Sequence, residues 1–70
     1  MKYHVKIDND GEYWYKHGTD ILHREAGAAY IHVKGYKAWW QDNKKHREVG
    51  PAIIYVDGTR YYWVKGELVK

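Results

Sequence analysis

The sequence predicts an all-β chain, an antiparallel meander of about three repeated β-hairpins. Three observations predict it. The residues available for a core are eight Tyr, four Trp and the Ile and Val residues, with no Phe and with leucine only at Leu22 and Leu68. Such β-branched and aromatic side chains suit a pleated, half-buried surface better than a helix. A repeat runs through the chain: Gly27-Ala28-Ala29-Tyr30-Ile31-His32-Val33-Lys34-Gly35 aligns without a gap on Gly50-Pro51-Ala52-Ile53-Ile54-Tyr55-Val56-Asp57-Gly58. In the same register His23-Arg24-Glu25 falls on His46-Arg47-Glu48 and Trp39-Trp40 falls on Tyr62-Trp63. Finally, turn residues punctuate the repeat, and Asp57-Gly58 is a strong two-residue hairpin signal because Gly accepts the positive φ of a type I′ turn.

Taken in order, a degenerate first copy runs through Val5-Lys6-Ile7, turns at Asp8-Asn9-Asp10-Gly11 and continues through Tyr13-Trp14-Tyr15 to Gly18. The second copy turns at Lys34-Gly35 and the third at Asp57-Gly58, followed by Thr59-Arg60-Tyr61-Tyr62-Trp63-Val64. One small domain, 1–70, thus divides into units of about 3–18, 19–43 and 44–70. Alternation along a strand places Ala52, Ile54 and Val56 on one face, with Ala29, Ile31, Val33, Tyr3, Val5 and Ile7, and this is the expected inward row. The opposite face carries His4, Lys6, Tyr30, His32, Ile53 and Tyr55. Helices drawn over 21–33 and 36–49 give an α+β alternative, but Gly27 interrupts the first at a cost of about 1 kcal/mol. The repeat also equates the second with the strand-like 59–64.

A chain of 70 residues supports one core, and a core this small seldom supplies more than about 3–5 kcal/mol unless something staples it. With no cysteine, disulfides and thiolate metal sites are excluded, leaving dense aromatic packing or self-association. No apolar run approaches the roughly 20 residues that span a bilayer, so the expectation is a cytoplasmic protein without a membrane partner. The net charge of +3 is mild, and a dedicated nucleic-acid domain is usually more lopsided. The one dense basic patch is Lys44-Lys45-His46-Arg47.

The pattern His-Arg-Glu-x-Gly-Pro-Ala, an apolar strand, Asp-Gly and an aromatic strand with Trp resembles the MORN-like hairpin repeats of bacteriophage and bacterial proteins. The resemblance covers about residues 20–66, best from His46 to Trp63. Ala28 stands where the family has Pro and Lys34 where it has Asp, and the last copy lacks a His-Arg-Glu of its own, as expected of a minimal array with end caps. The resemblance implies a phage protein, in the host cytoplasm, that acts by binding a host component.

The His-Arg-Glu triplets place a base, a cation and a carboxylate side by side, a set suited to acid–base work or phosphate handling. Their recurrence favours a structural role, with His23, Arg24, Glu25 and Gly27, and His46, Arg47, Glu48 and Gly50, holding each repeat to the next while Gly35 and Gly58 form turns. His4, His17, His23, His32 and His46 lack the tight spacing of a zinc site, and the chain has no Ser, no Cys and no glycine-rich phosphate loop. The expectation is therefore no metal, no cofactor and no catalysis.

Consecutive aromatics on the second strand of each hairpin alternate faces, so one row is core and the other is left outside. Tyr, Trp and Arg make hot spots in protein interfaces, and aromatics also stack bases. The candidate surface is Trp39, Arg60 and Tyr62, with Tyr30, Tyr55, Lys44, Lys45 and Arg47. Three functions follow. The first is docking on a host or phage protein, for example as an anti-CRISPR-like inhibitor of a bacterial defence system. The second is binding of nucleic acid or a signalling nucleotide, and the third is homo-oligomeric assembly through sheet edges.

Overall fold

The computed structural model describes residues 2–69. Ten short strands run in chain order: β1 (Tyr3–Ile7), β2 (Gly11–Lys16), β3 (Tyr30–His32), β4 (Lys37–Ala38), β5 (Trp40–Gln41), β6 (Lys44–Lys45), β7 (Ile53–Ile54), β8 (Arg60–Tyr61), β9 (Trp63–Val64) and β10 (Glu67–Leu68). Six of them form an antiparallel sheet in the order β1-β2-β3-β4-β7-β8. The chain is an all-β meander with no helix among the described residues, so the α+β alternative falls. None of the described residues forms a helix long and apolar enough to cross a membrane.

The sheet is built of three hairpins, β1–β2, β3–β4 and β7–β8. The joins between them repeat: Trp14 N–H donates to the Ala29 carbonyl at 2.7 Å and Trp39 N–H to the Ala52 carbonyl at 2.7 Å. Two further hairpins that the sequence did not announce, β5–β6 and β9–β10, leave the main sheet after Trp39 and Tyr62. The expected continuous strand over 59–64 is broken there, between β8 and β9. Trp39 shows why: its N–H bonds the neighbouring hairpin while its carbonyl accepts His46 N–H at 3.0 Å, so the backbone turns a corner between the two sheets. The molecule is a slab of 32 × 26 × 16 Å, thick enough for the sheet and one further layer.

Turn chemistry differs from expectation in the same way. Asp57-Gly58 lies in a three-residue loop closed by Tyr55 N–H to the Thr59 carbonyl at 2.9 Å, and only Gly58 of the two has positive φ. The type I′ geometry occurs instead at Asp42-Asn43 (φ 51° and 63°) and Lys65-Gly66 (φ 51° and 84°), each pair linking two adjacent strands. Both central residues of such a turn require positive φ.

The expected inward row is correct at its centre and wrong at its ends. Ala29 and Ala52 are fully buried, and Tyr3, Ile31 and Ile54 are half-buried. Val5, Ile7, Val33 and Val56 are exposed, Ile7 by 73%. Ile7, Val33 and Val56 lie towards the hairpin tips, beyond the second layer formed by the 23–28 and 46–51 loops and the small hairpins, whereas Val5 is the middle residue of the edge strand β1, opposite Trp14. Conversely, Ile53, assigned to the mixed face, is 3% exposed. It pairs with Ala38 and Tyr61 in one cross-strand row, where the small alanine leaves room for it between larger rings.

Candidate binding faces

On the layered face the two His-Arg-Glu-x-Gly segments make the same contacts twice. Arg24 lies over the Trp14 ring with its guanidinium carbon 3.7 Å from the centroid, and Arg47 lies over Trp39 at 4.0 Å. Each guanidinium also donates to the carbonyl four residues on, Arg24 to Ala28 at 3.2 Å and Arg47 to Pro51 at 3.0 Å. A Cβ at Gly27 or Gly50 would stand 3.0 or 3.2 Å from the guanidinium carbon, close enough to displace the arginine, and Gly50 also has a positive φ of 104°. Both arginines are half-buried, and a cation over an indole contributes between about 0.5 and 2 kcal/mol as water is excluded from it, so each arginine clamps one repeat to the next.

The histidines close the same junctions from the other side. His23 and His46 are 4% and 7% exposed, and their Nδ1 atoms accept the backbone N–H of Asp42 and Lys65, both at 2.9 Å. An imidazole accepting at Nδ1 carries its proton on Nε2, which leaves no lone pair for a metal. Glu25 Oε1 and Glu48 Oε1 lie 3.6 Å from those Nε2 atoms. Among the described residues no group of three or more acidic or histidine side chains is arranged to hold a metal ion. Between the two loops, Glu25, Trp39, Gln41, His46, Arg47 and Glu48 line an open cleft of about 680 Å³.

This arrangement alters the reading of the basic patch. Arg47 is held on Trp39, and Lys45 Nζ sits 4.1 Å from the Trp63 ring centroid. The Lys44 side chain passes over Gly66 but is exposed. Trp39 and Tyr62 are half-buried on this face, so the expectation that they form the outer platform is corrected: Trp39 is covered by Arg47 at the junction between repeats. Arg60, in β8 at the sheet edge, is exposed.

The outer aromatic row lies on the opposite face and is made of tyrosine. Tyr15, Tyr13, Tyr30, Tyr36, Tyr55 and Tyr61 follow one another across β2, β3 and the two later hairpins, with successive centroids 6.5, 4.7, 5.5, 5.1 and 5.8 Å apart. His4 continues the line, 5.2 Å from Tyr15. Of these residues Tyr30 and Tyr55 were legible as surface candidates, while Tyr13, Tyr15, Tyr36 and Tyr61 were missed. The signal that joins them is cross-strand register, Tyr13 opposite Tyr30 and Ile53 opposite Tyr61. The Tyr30 hydroxyl bonded to Tyr13, then burial and the nearby Asp8, push the Tyr13 phenol up to about 12. Burial, then Tyr55 and Tyr30, push Tyr36 up as well.

Comparison with family models, curated proteins and solved structures finds no match to this chain.

Proposed function

We propose that the protein is a non-enzymatic binding module that docks its tyrosine face on the surface of another protein. The observation that carries this reading is the continuous ladder of six tyrosines on one side of the sheet. Tyrosine presents a large amphipathic contact at low entropic cost, which is why it dominates many protein-recognition surfaces. Successive rings are near parallel from Tyr15 through Tyr13 to Tyr30, at 18° in each pair, and tilted or edge-to-face from Tyr30 to Tyr61, at 58°, 57° and 89°. The ladder therefore offers a partner hydroxyls together with ring edges and faces, the mixture that serves a protein-recognition surface. The immobilised Arg47 and Lys45 weigh against a phosphate-binding role for the basic patch. The sequence pI near 9.1 favours an acidic partner surface. The resemblance to phage hairpin repeats makes a host protein the natural partner, with inhibition of a bacterial defence system as its specific form.

The test is affinity capture from bacterial lysate with three baits: the wild-type chain, Tyr30→Ser/Tyr55→Ser, and Lys44→Gln. The reading expects a defined protein on the wild-type and Lys44→Gln baits that is lost from the tyrosine variant while that variant stays folded. Equal capture by the tyrosine variant, or capture of nucleic acid alone, overturns it.

A further inference from the structure

The main sheet has two open ends, and they fit each other. Among the described residues β1 and β8 are its outermost strands. His17 N–H donates to the Lys2 carbonyl and Asp8 N–H to the Gly11 carbonyl. Lys2 and Asp8 thus face β2, and alternation along an antiparallel strand turns the backbone groups of Tyr3, Val5 and Ile7 outward. At the other end the Thr59 and Tyr61 carbonyls accept the Tyr55 and Ala52 N–H groups, so the backbone of Arg60 between them also faces outward.

The step from one hairpin to the next inside the chain supplies the register. Within the hairpins Ile7, Ile31 and Ile54 lie opposite Glu12, Lys37 and Arg60, and Lys6, Tyr30 and Ile53 lie opposite Tyr13, Ala38 and Tyr61. Between hairpins Glu12 pairs with Ile31 and Lys37 with Ile54, while Tyr13 pairs with Tyr30 and Ala38 with Ile53. The same step taken once more sets Arg60 opposite Ile7 and Tyr61 opposite Lys6 of a second copy.

The side chains at the two ends suit that pairing. Val5 stands before Lys6 as Ala29 stands before Tyr30 and Ala52 before Ile53. Both alanines are fully buried, whereas Val5 is 40% exposed. On the layered face Ile7 of the second copy would lie between Arg60 and its own Glu12, a cation and a carboxylate, as Ile31 lies between Glu12 and Lys37. On the tyrosine face Lys6, whose Nζ is 5.8 Å from the Tyr13 ring centroid, would come between that ring and Tyr61 and prolong the ladder. A cation on an edge strand ordinarily discourages pairing, yet Lys37 holds the place of Arg60 in a strand that is paired on both sides. Two β8 edges are a poor match, because Arg60 would meet Arg60.

We propose that the chain assembles head to tail, the β8 edge of one copy pairing antiparallel with the β1 edge of the next. Such an interface is heterologous, so it grows into a ring or a filament and does not close as a dimer. The His-Arg-Glu segments at 23–25 and 46–48 clamp joins within the chain. The join between copies rests on strand pairing and the edge rows alone, so assembly is reversible and depends on concentration.

Sedimentation velocity of the wild-type chain, over a dilution series reaching millimolar concentration, reads the assembly. The sedimentation coefficient is expected to rise continuously past that of a dimer. Ile7→Pro removes an N–H that faces away from β2, a place where an edge strand tolerates proline. It should weaken association by about tenfold, the loss of one or two net hydrogen bonds. Arg60→Glu alone and Glu12→Arg alone each set like charges across the join and weaken association. An equimolar mixture of the two restores it, because alternating copies bring opposite charges together at every join. Circular dichroism establishes that each variant is folded, and if a charge variant is not, the wild-type series and Ile7→Pro still decide. A monomer at every concentration, growth that stops at a dimer, or undiminished association of Ile7→Pro overturns the proposal. So does a mixture of folded charge variants that associates no better than its components.

Discussion

On one face of the sheet Trp14 and Trp39 lie under guanidinium groups at 3.7 and 4.0 Å, next to fully buried Ala29 and Ala52. On the other face six tyrosines stand in a line with no layer over them among the described residues. Both faces are aromatic and both come from the same alternating strands, yet one is closed by charge and hydrogen bonds and the other is left open. The difference lies in what the loops bring. The His-Arg-Glu-x-Gly segments fold back over the tryptophan side only, so that side acquires a second layer. On the tryptophan side burial follows where the connecting chain covers the sheet, whereas on the tyrosine side Ala38 and Ile53 are buried in the same cross-strand row as Tyr30 and Tyr61.

The largest effect should come from enlarging a residue under that layer. Ala52→Leu adds volume where exposure is zero, and overpacking of this kind costs up to about 3 kcal/mol; chemical denaturation reads it as a lower midpoint. Next, Arg47→Ala removes the stack on Trp39 and the bond to the Pro51 carbonyl, and should cost about 2 kcal/mol. Arg47→Lys recovers only part of this, because an ammonium has no planar fork to serve ring and carbonyl together. Equal stability of wild type and Arg47→Ala would break the comparison, since it would leave the layered face without its clamp.

The open face should respond to alkali. The folded state favours the neutral Tyr13 phenol, so its contribution is fully present below pH about 10 and is lost as pH rises through about 12. Tyr36 is shifted in the same direction. Ultraviolet titration of the wild-type chain should show these tyrosinates forming late, and Tyr30→Phe should bring Tyr13 back towards its ordinary range. The smallest effect belongs to Val33→Ser and Val56→Ser. Both valines are 65% exposed, so each change should lie within about 0.5 kcal/mol of neutral, although alternation alone places them inward.

That last pair marks how far the sequence is legible. The repeat, the strand class and the central buried alanines follow from periodicity and the aligned copies. Recurrence of the His-Arg-Glu triplets points to the repeat junctions, but their contacts with Trp14, Trp39 and the Asp42 and Lys65 amides are tertiary, and no local pattern reveals them. Val33, Val56 and Ile7 satisfy the alternation rule, but nothing along the strand says where the covering layer stops. The tyrosine ladder is hidden for a related reason: its members come from separate hairpins, and only the register of β2 on β3 and of the later strands aligns them. Lys45 and Arg47 read as a basic patch because the sequence cannot show that indoles hold both.

Tyr30→Phe/Tyr36→Phe/Tyr55→Phe tests the division of labour between the faces most directly, because it keeps the rings and removes the hydroxyls offered to a partner. Thermal melting and lysate capture should be measured on the same preparation. A melting temperature close to that of the wild type together with loss of the captured protein is the predicted result. Undiminished capture, or unfolding of the variant while Arg47→Ala stays as stable as the wild type, would contradict it.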